Sequence, residues 1–332
     1  WIGYGVVNIV DQTDTKADLL TKSAVNYDLR GAGQEISHAE AKIYSAYVSD
    51  VVNILPNLSA MLSLRMDHFT GRASAYATDD VKAQTTFSPK LGLVYQPIPD
   101  KVSIFGNYMN GFRNVDPSTI QYTDDLGNVL RSELRYFDPE HANQWEVGTK
   151  ANLAGDKFSI TASYYSINVK NKLMGNGVNV NQGGEVDSKG FEVSVLGSPI
   201  PGMNIIAGYS YNDSNVVKGD PGYPGNRTED AGPKNLINFW GTYKIQEGSL
   251  KNFGIGFGGN SASRFYTLNR GEIGAFPLPS YIIMNSSLSY TEERYSIILK
   301  LDNIANKKYF SGWSTVTPQR LRTLSLSLNY KF

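Results

Sequence analysis

The sequence predicts an all-β chain, an antiparallel transmembrane β-barrel with about fourteen strands present, and three observations carry that expectation. First, the C-terminal segment Arg320–Phe332 alternates strictly: Leu324, Leu326, Leu328, Tyr330 and Phe332 fall on one face of an extended strand, and Thr323, Ser325, Ser327, Asn329 and Lys331 fall on the other. Second, similar segments of about 10–15 residues recur along the chain, joined alternately by tight turns and by long polar connections. Third, hydrophobic content is 41% and no run approaches the roughly 18–20 apolar residues of a spanning helix. A chain of this composition crosses a membrane only as strands.

Taken in order, the first strand is expected at Trp1–Val10, and the polar stretch Asp11–Glu35 follows it. Ile36–Ile54 closes on Leu55-Pro56-Asn57, Leu58–Phe69 runs away from that turn, and Gln84–Gln96 returns to Pro97-Ile98-Pro99-Asp100. Lys101–Phe112 opens a long loop through His141, and Asn143–Asn152 closes on Ala154-Gly155-Asp156. Phe158–Lys170 opens a further loop through Glu185, and Lys189–Leu196 closes on the turn ending at Gly202. Met203–Asn212 leads into the loop carrying GDPGYPGN. Asn235–Ile245 closes near Gln246–Leu250, Phe253–Ser261 opens the loop around Asn269-Arg270-Gly271, and Ser280–Tyr290 closes on Thr291–Arg294. Tyr295–Asn303 opens the last loop before the terminal strand. Long loops thus collect at one end and tight turns at the other, as in outer-membrane barrels with short periplasmic turns.

Side-chain alternation supports the same reading. Phe253, Ile255 and Phe257 oppose three glycines, and Ile237, Phe239, Tyr243 and Ile245 oppose Asn238, Trp240 and Thr242. Tyr243, Tyr290 and Tyr330 sit near strand ends, where an interfacial aromatic girdle is expected. Glu146, Lys150, Glu192 and Lys300 fall on polar faces and are expected to point into the lumen.

Composition excludes several functions. With 31 basic and 31 acidic residues the chain has no electrostatic footprint for nucleic acid. Cysteine is absent, which removes disulfides, thiolate metal sites and a cysteine nucleophile. His38, His68 and His141 are scattered, without ligand spacing and without a persuasive serine partner, so neither a metal site nor a hydrolase is expected. GDPGYPGN is a turn-former rather than a phosphate cradle, because no helix follows it. No constricting loop with segregated charges marks a passive porin. The N-terminus has no basic region and no cleavage site; it reads like the middle of a strand, and the sequence is expected to open inside a larger protein.

Particular words in the sequence resemble the C-terminal part of TonB-dependent outer-membrane receptors, in the ferric siderophore branch related to ferrichrome receptors. Ser88-Pro89-Lys90-Leu91-Gly92-Leu93-Val94-Tyr95 is similar to a strand-initiating SPRLGLVY segment. Asp138-Pro139-Glu140 with Trp145-Glu146-Val147-Gly148-Thr149-Lys150 resembles PE…YEVGVK. Gly190, Glu192, Tyr209, Tyr211 and Asp213 resemble GxE…YSYxD, and Pro233, Asn235, Trp240 and Tyr243 resemble P…N…W…Y. Leu301–Tyr309 resembles VxNLFDxxY, with Ile304 and Asn306 as mild departures.

The resemblance implies that residues 1–332 are the C-terminal part of one barrel of about twenty-two strands, with an N-terminal plug lying outside this sequence. It implies a Gram-negative outer-membrane location and active uptake of a ferric siderophore, energised through TonB acting on that plug. The partners implied are the ferric siderophore, the TonB complex and outer-membrane lipid, with a surface lipoprotein as a further candidate. No enzyme activity and no protein-bound cofactor are implied, since the chelator carries the iron. Receptors of the same family for cobalamin, another metal chelate or a glycan share every word quoted, and a passive porin is the other alternative. A ferric siderophore is a bulky, often anionic chelate, which aromatic faces and arginine donors on the loops suit. The residues expected to touch it are Phe112, Arg113, Tyr266 and Trp313, drawn from a wider set of loop aromatics and arginines that includes Tyr223, Arg227 and Arg270.

Overall fold

The computed structural model describes residues 38–74, 82–115, 118–123, 129–175, 180–271, 274–313 and 315–332. The expected strand Trp1–Val10 lies outside them. Two compact units are distinguished, residues 1–43 with 69–84, and residues 44–68 with 85–332. The described residues of the first unit are the ends of strands β1 (His38–Leu55), β2 (Leu58–Ser74) and β3 (Lys82–Ile98).

The second unit holds the rest of these three strands and all later elements. These are β4 (Val102–Arg113), β5 (Ser118–Thr123), β6 (Val129–Arg135), β7 (Glu140–Leu153), β8 (Phe158–Met174), β9 (Asn181–Gly197), β10 (Met203–Lys218), β11 (Asn235–Lys244), β12 (Phe253–Ala262), β13 (Phe265–Arg270), β14 (Gly274–Leu278), β15 (Tyr281–Thr291), β16 (Tyr295–Asp302), β17 (Phe310–Trp313), β18 (Thr315–Pro318) and β19 (Thr323–Tyr330). Thirteen of the strands form one sheet in the order β1-β2-β3-β4-β7-β8-β9-β10-β11-β12-β15-β16-β19. These are the thirteen expected after Trp1–Val10, and each pairs with its neighbour along the chain.

The side-chain period of two carries one face through this sheet unbroken. Val147 is paired with Tyr164, Tyr164 with Phe191, and Phe191 with Tyr211. Tyr209 meets Ile237, Phe239 meets Gly259, Ile255 meets Leu288, Leu288 meets Leu299, and Leu299 meets Leu326. This face is apolar and open: Ile255 is 59% exposed and Leu326 is 70% exposed. It is the lipid face. At its turn end Phe253 and Tyr290 lie with ring centroids 4.8 Å apart and Tyr295 lies 6.1 Å from Tyr290, which forms the expected aromatic girdle.

The opposite face is polar. Glu146 there accepts a hydrogen bond from Asn107 Nδ2 at 3.1 Å, and Lys300 pairs with Asp302 at 2.8 Å. Gly254, Gly256 and Gly258 occupy the same face of β12, where Trp240 lies against Gly256 and Gly258, Ser287 Oγ stands beside Gly256 and Ser289 Oγ beside Gly254. A Cβ on Gly256 would lie 2.8 Å from Trp240 Cζ2, and one on Gly258 would lie 2.6 Å from Trp240 Cε3. The indole lies across the glycines as a plate.

Tight turns close one end. Asp100, and then Ala154, Gly155 and Asp156 in succession, take positive φ there. The opposite end is more ordered than the sequence indicates. β8 and β9 run on to Met174 and resume at Asn181, which shortens the connection expected through Glu185, with register irregularities between Val169 and Leu173 and Asn171 at φ 60°. Three further hairpins, β5–β6, β13–β14 and β17–β18, rise from the connections β4–β7, β12–β15 and β16–β19. Buried apolar residues gather at this end. Ile120, Phe137, Phe265 and Leu278 are each less than one-tenth exposed.

Candidate functional site

The loop end brings three connections together. In the β10–β11 connection, GDPGYPGN folds back on itself: Tyr223 N–H donates to Asp220 O at 3.1 Å and Asn226 N–H to Tyr223 O at 3.0 Å, with Gly222 and Gly225 both at φ 84°. Arg227 follows. Its guanidinium donates to Asn212 O at 2.8 Å, to Asn212 Oδ1 at 2.9 Å and to the carbonyls of Ala231, Gly232 and Pro233. A planar fork suits so many acceptors. Burial pulls this guanidinium below its ordinary value, opposed by Asp213.

Glu229 joins this connection to the β13–β14 hairpin. Its Oε1 accepts from Asn269 N–H at 2.9 Å and from Arg270 Nε at 3.0 Å, and its Oε2 accepts from Arg270 Nη2 at 3.2 Å. Gly271 N–H donates to Gly222 O at 2.9 Å, Asn269 Nδ2 donates to Arg227 O at 3.0 Å, and Arg270 lies 5.4 Å above the Tyr223 ring. The close approach needs glycine, because a Cβ on Gly271 would sit 3.0 Å from Gly222 Cα. Burial raises the Glu229 carboxyl, but the Arg270 guanidinium and the Asn269 amide outweigh it and hold the group below the usual carboxylate range.

The β8–β9 tip completes the cluster. Gly175 N–H donates to Asp220 Oδ2 at 2.7 Å and Lys172 faces Asp230 at 3.8 Å. Between these elements lies a cavity of about 310 Å³ lined by Lys172, Met174, Asp220, Tyr223, Arg227 and Asp230 among others. It offers both charges and one aromatic face.

A second group stands over β4 and β7. Arg113 Nη2 is 2.8 Å from Oε1 of the buried Glu140. Phe112 is opposite His141 in the register. On the hairpin above, Tyr122 donates to Glu133 at 3.2 Å and Arg131 covers the Tyr122 ring at 4.2 Å, while Arg135 Nη1 reaches Val180 O at 2.8 Å.

The four residues singled out in the sequence therefore fall into two places. Phe112 and Arg113 end β4. Tyr266 lies on β13, where its hydroxyl accepts from Arg264 Nη2 at 3.2 Å, and Trp313 lies opposite Thr315 in β17, the strand that neighbours β13. None is among the residues lining the cavity between the β8–β9 tip and the β10–β11 connection. Arg227 and Arg270, both in the wider set, are engaged in holding loops together. The sequence leaves Glu229, Lys172 and Asp230 unremarked and marks Asn269 only as a loop residue, and only the short spacing of Arg227, Glu229 and Asp230 behind a turn-rich loop hints at the cluster.

One apolar and one polar face, tight turns at one end and built loops at the other define an outer-membrane β-barrel wall. More particularly, the chain belongs to the family described as TonB dependent receptor-like, beta-barrel, whose profile matches residues 1–304. It is 24% identical over 311 residues to the probable TonB-dependent siderophore receptor PiuA of Acinetobacter baumannii, covering 87% of this chain and 40% of that protein. It is 23% identical over 328 residues to the ferrichrome outer membrane transporter/phage receptor of Escherichia coli, covering 94% and 40% respectively. The metal-pseudopaline receptor CntO of Pseudomonas aeruginosa is 23% identical over 313 residues, covering 89% and 42%. Among solved structures, the ferric-catecholate import receptor Fiu of E. coli superposes with a TM-score of 0.73 at 18% identity, over 89% of this chain and 45% of that one. The chain thus spans about two-fifths of the length of the curated relatives it matches. It is a Gram-negative outer-membrane barrel segment.

Proposed function

We propose that this chain is the C-terminal part of a receptor that imports a ferric siderophore across the outer membrane, energised by TonB acting on a plug encoded outside this sequence. The observation that carries the reading is family membership combined with a wall whose loop end is built and rich in aromatic and arginine side chains. The chelate meets the loops at Phe112, Arg113, Tyr266 and Trp313, where ring faces and guanidinium donors suit a bulky anion. The iron stays within the chelator, the protein needs no resident cofactor, and it performs no covalent chemistry. Outer-membrane lipid surrounds the wall, and a surface lipoprotein is a further partner to be sought.

The test is uptake of radiolabelled iron by cells with and without the full-length gene, across a panel of ferric siderophores. Loss of uptake for one chelate on deletion supports the reading, and unchanged uptake across the panel overturns it. The similarity to a metal-pseudopaline receptor favours one second reading, a chelate of another metal. Running the panel with radiolabelled nickel, zinc and cobalt chelates separates the two.

A further inference from the structure

A cavity of about 410 Å³ opens at the loop end where the β10–β11, β12–β15 and β16–β19 connections meet. Glu229 and Asp230 line it from the first connection, Phe265 from the second and Gly312 from the third, and Leu236 and Tyr281 belong to the wall strands beneath. Both of these stand opposite Ala262 in the register, one residue from Ile237 and Ile282 of the apolar face, so they lie on the inner side of the wall. Tyr266 and Trp313, two of the residues proposed to meet the chelate, follow Phe265 and Gly312 directly in the chain. The cavity thus adjoins the strands that carry them.

Its lining holds two carboxylates and no lysine, arginine or histidine. The cavity on the other side of the same connection differs, since Lys172, Lys218 and Arg227 line it. Glu229 is already committed to Asn269 N–H and to the Arg270 guanidinium. Asp230 is not: its side chain is 61% exposed and makes no hydrogen bond among the described residues, and Lys172 Nζ stands 3.8 Å away, beyond hydrogen-bond distance. An ionised carboxylate offers about four acceptor sites, and those of Asp230 are free for a ligand. The remaining wall is aromatic and apolar. Tyr281 is fixed against Tyr309 with ring centroids 4.8 Å apart, and Phe265 and Leu236 join it.

An uncommitted carboxylate beside aromatic and aliphatic surface, with no base in the lining, selects an ammonium group on a hydrocarbon arm. An anionic group is repelled there by both acids, and a bare divalent ion needs more oxygen ligands than one free carboxylate supplies. We infer that the chelate carries an alkylammonium arm and that this cavity receives it, the ammonium donating to Asp230 against the Tyr281 ring and the methylenes lying along Leu236 and Phe265. The inference rests on the reading of the chain as part of a chelate receptor and narrows the ligand to a zwitterionic class, an anionic iron centre with a separate protonated amine. The volume is at the lower end of the range of ligand pockets, about 300–1,000 Å³, which suits an arm rather than a whole bulky chelate. Displacing Lys172 from Asp230 costs little, because an exposed pair at that separation is weak.

The test is isothermal titration of the full-length receptor with matched pairs of ferric chelates. Each pair shares a hydroxamate, catecholate or carboxylate iron centre and ends in a primary amine or in its N-acetyl derivative. The receptor is expected to bind one pair, with the amine form tighter by about tenfold or more. Asp230→Asn is expected to bring the amine form down to the affinity of its acetylated twin and to leave the twin unchanged, and Asp230→Glu to keep most of the preference. A pair bound with equal affinity by the wild type overturns the inference while the receptor reading stands. A preference untouched by Asp230→Asn does the same. Failure to bind any pair overturns the receptor reading and the inference together.

Discussion

Glu229 and Arg270, 41 residues apart in sequence, meet in a two-pronged ion pair that fastens the β10–β11 connection to the β13–β14 hairpin. The carboxylate is 14% exposed and the guanidinium 37%, so the pair is shielded on one side and screened only in part. It acts together with Asn269 N–H, Gly271 N–H and Gly222 O, and removing one partner would leave the others poorly satisfied.

This pair gives the loop cluster an acid sensitivity of definite sign. The Glu229 carboxyl is held below its ordinary value in the folded protein, so its contribution is complete above the unfolded carboxylate pKa of about 4.3 and is lost as pH falls through the lower folded value. Amide exchange at Asn269 and Gly271, corrected for intrinsic rates, is expected to stay slow from neutral pH down to the carboxylate range and to accelerate below it. Glu229→Gln should be fast throughout and flat with pH. A wild-type profile that is equally flat would show that the pair contributes nothing.

The plate of Trp240 over the glycines of β12 makes a packing test. Gly256→Ala would place a methyl group between the indole and Ser287 Oγ, at a cost of about 1–3 kcal/mol typical of overpacking. Trp240→Ala should relieve the part of that cost that the indole imposes, the contact with Ser287 Oγ remaining. In a double-mutant cycle read by urea unfolding in lipid vesicles, the two changes are expected to couple with a sign favouring the double variant. Strict additivity would mean that the ring moves aside freely.

The two faces of the terminal strand are expected to respond oppositely to charge. Leu326→Arg puts a guanidinium on the lipid face, four residues above Tyr330, where the cost near the midplane is about 2–4 kcal/mol. Ser327→Arg faces the polar side and should cost a small fraction of this. Unfolding free energies of the full-length receptor in vesicles decide the matter, and similar values for the two variants would contradict the assignment of faces.

At the proposed chelate contacts, Tyr266→Ala and Arg113→Ala test different things. Tyr266 is in contact with Arg264, two residues away on the same connection, so truncating it is expected to weaken chelate binding by about tenfold, of order 1–2 kcal/mol, without loosening the loops. Arg113 also neutralises the buried Glu140, and its loss should weaken binding and increase proteolysis between β4 and β7 together. Isothermal titration with the identified chelate, beside a limited-proteolysis time course, separates the two outcomes.

Most of the wall is legible in the sequence, because lipid on one side and a polar lumen on the other force a period of two on strands such as Tyr295–Asp302 and Thr323–Tyr330. The alternation fades where a strand leaves the membrane. Asn181–Lys189 is polar on both sides apart from Val186, and little in its composition says that it still pairs with β8. The hairpins β5–β6, β13–β14 and β17–β18 are hidden for another reason: strands of four to seven residues gain their order from what they lie against rather than from their own pattern. The candidate site is less legible still. Asp138-Pro139-Glu140 stands out as a word, yet its chemical role, a buried carboxylate gripping Arg113, depends on the register of β4 against β7. The partnership of Glu229 with Arg270 depends on two loops meeting in space.

Each of those three hairpins leaves the wall on one strand and returns on the next, β4 to β7, β12 to β15 and β16 to β19. Its length, sequence and even its presence are therefore free variables as far as the wall's register is concerned, since loop closure between fixed ends changes only slowly with length. Such a hairpin can be exchanged for another, altering the surface presented at the loop end, while the barrel wall is inherited unchanged.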